Sequence, residues 1–158
     1  MSYVRKHLQE GETVVYETTV HWIVYWRAIL WLVLAIIVGV MGAALATALG
    51  NKIYANALSI GAIPFAAGAV VLWLHALIRR ATTELAITDR RIVVKVGLIR
   101  PTTSEMNRSK VESVLVEQSV LGRLLDFGTI LIKGTGGGLE PLVGIDHPIK
   151  FRSFVTAG

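Results

Sequence analysis

Two long stretches without a single Asp, Glu, Lys or Arg limit what this chain can fold into. One runs from Ala28 to Asn51, AILWLVLAIIVGVMGAALATALGN, and the other from Ile53 to Ile78, IYANALSIGAIPFAAGAVVLWLHALI. An α-helix needs about 20 apolar residues to cross the roughly 30 Å of hydrocarbon in a bilayer, and each run exceeds that. Composition points the same way. Only 17% of the residues are charged against 53% hydrophobic, whereas about a quarter of a globular chain is charged, so apolar sequence has replaced water-facing surface. The expectation is a transmembrane helical hairpin over residues 28–78, with spans near 28–49 and 57–78.

The flanks predict an orientation. Arg27 precedes the first run and Arg79-Arg80 follow the second, while the connection holds only Lys52. Basic residues favour the cytoplasmic side, so both termini of this multi-pass membrane protein are expected there. Trp22 and Trp26 at the entry of the first span and Trp73 near the exit of the second are the expected interface anchors. Small-x-small triplets at residues 44–48 resemble signal-peptide cleavage sites, but the long preceding segment and the long apolar run argue for a retained span. Ala35, Gly39, Ala43 and Thr47 recur every fourth residue, as do Gly42, Ala46 and Gly50, and such stripes let helices approach closely. Gly61 and Gly68 are assigned the same packing role in the second span. The stripe fits packing within the hairpin or between subunits.

After Arg80 the pattern changes to short alternating segments divided by turn residues. TELAITDRRIVVKVG reads as a hairpin with Asp89-Arg90 at its tip, placing Arg91, Val93 and Lys95 on one face and Ile92, Val94 and Val96 on the other. TTSEMN, KVESVLVEQ, GTILIK and the segment 141–145 are further expected strands. VLGRLLDF lacks alternation and reads as a helical turn or packed loop, and HPIKFRSFV as a short helix with Pro148 in its first turn. Upstream, GETVVYETTV has strand composition, and the sequence leaves open whether it joins the sheet. The three expected parts are an N-terminal segment 1–27, the hairpin 28–78 and a β-rich domain 79–158. The expected fold class is thus an α+β membrane protein with a small antiparallel barrel or sandwich.

The succession TDRRIVVKVGLI, RSKVESV, QSVLGRLL and FGTI resembles the bacterial pleckstrin-homology family, in the type with two transmembrane helices followed by one such domain. LQEGE followed by His21-Trp22 is similar to that family's lead-in. The resemblance implies a split barrel of roughly seven strands closed at one end by a C-terminal helix, for which ten residues follow Pro148. It brings no catalytic motif.

No constellation of residues suggests an enzyme. His7, His21, His75 and His147 are scattered, and neither HExxH nor GxSxG occurs. The absence of cysteine excludes thiol chemistry and Cys-based zinc sites. GTGGG after Lys133 lacks the ending of a phosphate loop and reads as a hairpin, and no cofactor is expected.

The net charge of +5 is uneven, since residues 79–158 hold twelve basic against eight acidic side chains. Arg79, Arg80, Arg90, Arg91, Lys95, Arg100, Arg108 and Lys110 form a candidate lipid-facing patch. Each such cation contributes about 1 kcal/mol beside an anionic leaflet. The competing reading is that Arg79-Arg80 fix topology and the rest solvate the surface. Open sheet edges and a groove beside the terminal helix make protein assembly the leading expectation, by a homo-oligomer or with another membrane protein. Nucleic acid is not an expected partner, because the basic residues lack interleaved aromatics.

Overall fold

The structure is a computed structural model, and it describes residues 8–98 and 101–157 together with Val4. Among them the chain forms eight strands: β1 (Val14–Thr19), β2 (Glu84–Thr88), β3 (Arg91–Val96), β4 (Thr102–Asn107), β5 (Val111–Glu117), β6 (Phe127–Gly134), β7 (Gly137–Gly138) and β8 (Leu142–Asp146). The helices are α1 (Trp26–Leu49), α2 (Lys52–Thr82), α3 (Val120–Leu125) and α4 (Pro148–Thr156). Two compact units result. One is built from the chain up to Trp22 and from Ile78 onward, and the other is Ile23–Leu77.

The helical unit is a hairpin with a two-residue connection. Gly50 ends α1 in the left-handed conformation (φ 63°), and the Asn51 side chain accepts from the Ile53 N–H at 2.9 Å to start α2. The second helix therefore begins five residues before the expected span, because Asn51 caps it there. At about 1.5 Å per residue its 31 residues extend roughly 46 Å. Both helices are long and apolar enough to cross a membrane, and they expose large apolar side chains such as Ile36, Val40, Ile60 and Val71.

The close contacts within the hairpin draw one residue from each expected stripe of the first helix, Ala35 and Gly42. Ala28, Ala35 and Gly42 are buried on α1, seven residues apart. A Cβ at Gly42 would lie 2.7 Å from Leu58 Cβ, and one at Gly68 would lie 2.5 Å from the Trp31 ring. Gly39 and Gly61 face open space, and Ala43 and Thr47 are exposed. Of the expected small residues, Gly42 and Gly68 sit at close approaches and Ala35 is buried, and the buried positions of α1 advance by seven residues rather than four.

The β-rich unit consists of two four-stranded antiparallel sheets, ordered β1-β2-β3-β4 and β5-β6-β7, with β8 also paired to β6, along the edge that β7 uses. The N-terminal strand, left open by the sequence, pairs with β2 from Val14↔Thr88 to Thr19↔Glu84. The helical hairpin is therefore an insertion between two neighbouring strands of one sheet. The sheets meet along one seam. Val20 bridges Ile145, the Thr18 hydroxyl donates to the Asp146 carbonyl at 2.8 Å, and the His21 N–H donates to the Gly144 carbonyl at 2.8 Å. Opposite this seam, β4 and β5 are joined by the short helical turn Arg108–Lys110, and neither has a second strand partner among the described residues.

Alternation sets the core. Leu85, Ile87, Ile92, Ile130, Ile132 and Ile145 are at most 1% exposed, and Phe151 of α4 fills the space between the sheets. Tyr16 of β1 holds α4 from outside by stacking on Phe154, with ring centroids 4.7 Å apart. The outer face of β2 and β3 is covered as well, since Ala86 and Val93 are buried beneath Val4, Leu8 and Val14. The glycine-rich stretch after Lys133 forms β7, in which Gly138 pairs with Lys133 and Gly137 with Gly134.

Candidate functional site

The β-rich unit has two unlike ends, fixed by where the chain enters and leaves it. Residues 83–84 begin β2 and residues 19–20 end β1, so the connections to the long helices share one end, here called proximal. Strand β2 spans five residues, which at about 3.3 Å each puts the Asp89-Arg90 turn some 15 Å away, at the distal end.

The distal end carries an ion pair and a cleft. Arg91 donates through Nε and Nη2 to both oxygens of Glu12, at 2.9 and 2.8 Å, and through Nη1 to Glu105 at 2.7 Å. Glu12 also accepts from the Thr88 hydroxyl and the Gln9 N–H, both at 2.8 Å. Its side chain is fully buried. Burial alone would raise the Glu12 pKa, but the Arg91 guanidinium and the two further donors pull it down from 4.5 to about 2. Such a bidentate pair is strong because both partners are charged and their lone pairs and protons are satisfied.

Beside it lies a cleft of about 490 Å³, between the exposed Arg90 turn, the start of β5 and the last turn of α4. Ser109, Val111, Glu112, Ser113, Val114, Val155 and Thr156 line it. Arg108 closes its base. The backbone N–H of Arg108 donates to the Arg90 carbonyl at 3.0 Å, and its guanidinium donates to the Phe154 and Val155 carbonyls at the end of α4. A cation there satisfies carbonyls that a helix end leaves unpaired.

At the proximal end, Arg79 donates to the Val143 carbonyl at 3.0 Å. The buried His21 ring stacks on Phe127, centroids 5.3 Å apart, and its Nε2 lies 3.9 Å from Asp146. Burial lowers the His21 pKa, with Asp146 opposing. Asp126 and His147 both adopt positive φ, and the His147 Nδ1 contacts Asp126 Oδ2 directly. Among the described residues no group of three or more metal-ligating side chains is placed to hold a metal ion.

The eight candidate lipid-binding cations do not converge. Arg79 and Arg80 are proximal, and Lys95, paired with Glu84 in register, is proximal too. Arg90, Arg91, Arg108 and Lys110 are distal, with Arg90 and Arg108 at the cleft. Arg91 and Lys95 share a face of β3 as alternation predicts, but that face is covered by the N-terminal segment and Arg91 is engaged by two carboxylates. Arg100 lies outside the described residues. Trp22, Trp26 and Trp73 are each about half exposed. What sequence reasoning missed is Glu12, which lies 79 residues from Arg91 and leaves no local signal of the pairing.

A family model described as bacterial PH domain matches residues 25–157. The chain belongs to the bacterial PH domain family. The match spans both long helices and all strands but β1, so Glu12 and β1 lie outside the matched stretch. Comparison with curated proteins and with solved structures finds no match. PH-like domains are generally non-catalytic binding modules, and this bacterial PH domain presents a cleft at the start of β5, which has no second strand partner among the described residues.

Proposed function

We propose that this protein is a membrane-anchored binding module that assembles with another polypeptide at the cytoplasmic face of the bacterial inner membrane. The hairpin is the anchor, with Arg27, Arg79 and Arg80 on the cytoplasmic side. The observation that carries the reading is the pairing of a free β5 edge with the cleft beside α4. An added strand would gain main-chain hydrogen bonds from β5, and its side chains would find Val111, Val114 and Val155 as apolar contacts and Arg90 and Glu112 as charged ones. The partner is a segment of a second copy or of another membrane protein.

Recognition of anionic headgroups by a single basic face is the lesser reading. Arg79-Arg80 and Arg90 lie at opposite ends of β2, and Arg91 is already paired, which weighs against one continuous lipid site. The test uses the full chain, since a fragment beginning after the hairpin would lack β1 and expose the edge of β2. A photocrosslinking residue at Ser113 in native membranes should give a discrete protein adduct, and one at the exposed Thr19, at the other end of the unit, should not. Adducts with lipid alone at Ser113, lost in Arg90→Glu, would favour the headgroup reading. No adduct would overturn the cleft as the site.

A further inference from the structure

The helix α3 is built inside out for a soluble domain. Val120, Leu121 and Leu124 are 86%, 64% and 79% exposed, and the buried residue of the helix is Gly122. The packing explains this. A Cβ at Gly122 would stand 2.6 Å from the Phe127 carbonyl oxygen, so the helix rests on its backbone and turns its large side chains outward.

The crest is also held firmly. Ser119 caps the helix by accepting from the Gly122 N–H at 3.0 Å, and Asp126 ends it in the left-handed conformation. The Gln118 amide donates to the Gly122 and Phe127 carbonyls at 3.2 and 3.1 Å. Ordered, adjacent apolar side chains of this exposure mark a surface that something covers.

Position identifies what covers it. Helix α3 connects β5 to β6 at the proximal end, immediately before Phe127, whose ring stacks on His21, one residue before Trp22. Val143, 54% exposed, belongs to the same end, and its carbonyl accepts from Arg79. Leu98, 61% exposed, follows β3 there as well. The apolar residues thus gather at the end from which the chain departs, at both points, into the long helices. The cations Arg79, Arg80 and Arg123 lie at this end, as is usual where a surface meets anionic headgroups.

We infer that α3 is a second, monotopic membrane contact: Val120, Leu121 and Leu124 insert into the headgroup–acyl boundary of the bilayer that the hairpin crosses. This rests on the membrane reading above, because covalent continuity through Trp22 and Ile78 is what brings the proximal end to that surface. The crest fixes how the module is oriented and leaves the distal cleft directed away from the lipid.

The natural chain has no cysteine, so single reporters need no background removal. Leu124→Cys, Ile36→Cys in α1 and Ser109→Cys at the distal cleft are each labelled with an NBD fluorophore. The full-length proteins are reconstituted into phosphatidylcholine–phosphatidylglycerol liposomes with and without lipid carrying a spin label near the headgroup. The label at 124 should be blue-shifted and lose about half its emission to the spin-labelled lipid, while that at 109 is unchanged. Val120→Cys serves as a second reporter of the crest. Quenching at 36 without quenching at 124 or 120 overturns the inference and leaves the membrane anchor standing. A blue shift at 124 without lipid quenching means that protein covers the crest, and also overturns it. If the label at 36 is not quenched by lipid labelled deeper in the chain, the anchor and the inference fall together.

Discussion

The two units of this chain use apolar residues in opposite ways. In the β-rich unit they turn inward, and Phe151, Ile87 and Ile130 are essentially inaccessible. In the helical unit they turn outward, and the close approaches between helices are at glycines, Gly42 against Leu58 and Gly68 against the Trp31 ring. The first arrangement is what water imposes, because removing apolar surface from it is the main drive to fold. The second suits a hydrocarbon solvent, in which burying one more Leu against another gains little and close backbone approach decides packing. One chain thus contains two cores that should fail for different reasons.

The largest expected effect tests the first of these. Phe151→Ala removes a fully buried ring from between the sheets and should cost the β-rich unit about 3–5 kcal/mol. Denaturant unfolding in detergent, followed by near-UV signal, measures it. The far-UV helical signal of the hairpin should persist past that transition. Simultaneous loss of both signals would show that the units do not fail independently.

Next is the ion pair that closes the distal end. Glu12→Gln removes one of the two carboxylates that engage the Arg91 guanidinium, and breaking a largely buried pair of this kind costs about 3 kcal/mol. A pH titration gives an independent measure of the same interaction. The Glu12 pKa is depressed in the fold, from 4.5 to about 2. Its contribution is therefore fully present above the unfolded value and is lost as pH falls through the folded one, amounting to about 3 kcal/mol. In Glu12→Gln the acid-induced loss between those values should be shallower than in the parent. An equally steep loss would assign the acid sensitivity to other groups.

How much of this was legible in the sequence follows from how local each signal is. The two spans, the β2–β3 hairpin with Asp89-Arg90 at its tip, and the terminal helix at Pro148 rest on period, run length and turn chemistry within a dozen residues, and the structure has helices, strands and a turn there. The pairing of β1 with β2 was not legible, because the hairpin stands between them in sequence and composition alone does not name a partner strand. For the same reason Arg91 looked like a surface cation. Alternation assigned it to the correct face, but the cover over that face comes from Leu8 and Glu12. The cleft depended on the end of α4 meeting the start of β5, which no local pattern encodes.

A smaller effect separates the hairpin's seam from its free faces. Gly42→Ala and Gly68→Ala each force a methyl group into Leu58 or the Trp31 ring, and overpacking of this kind costs about 1–3 kcal/mol. Gly39→Ala meets nothing within 4 Å and should be neutral or stabilise by up to about 1 kcal/mol through helix propensity. Thermal loss of helical signal in one detergent ranks the three. If Gly39→Ala were as damaging as Gly42→Ala, the four-residue stripe would be an interface between subunits rather than a free face of the hairpin.

The smallest expected effect lies where the β-rich unit joins the long helices. His21 is buried against Phe127 beside Trp22, and burial lowers its pKa while Asp146 opposes, with Arg80, His147 and Asp126 as the other charges that act on it. A depressed imidazole pKa means that the unfolded chain binds the extra proton first, so stability declines as pH falls below about 6.5 and the loss is complete below the folded value. The denaturation midpoint of the β-rich unit should therefore drop modestly between about pH 7.5 and 5.5, and His21→Gln should remove most of that slope. The sign discriminates between two pictures of the proximal end. A midpoint that rises on acidification would mean that attraction to Asp146 outweighs burial, and that the ring reaches water rather than the apolar contact with Phe127.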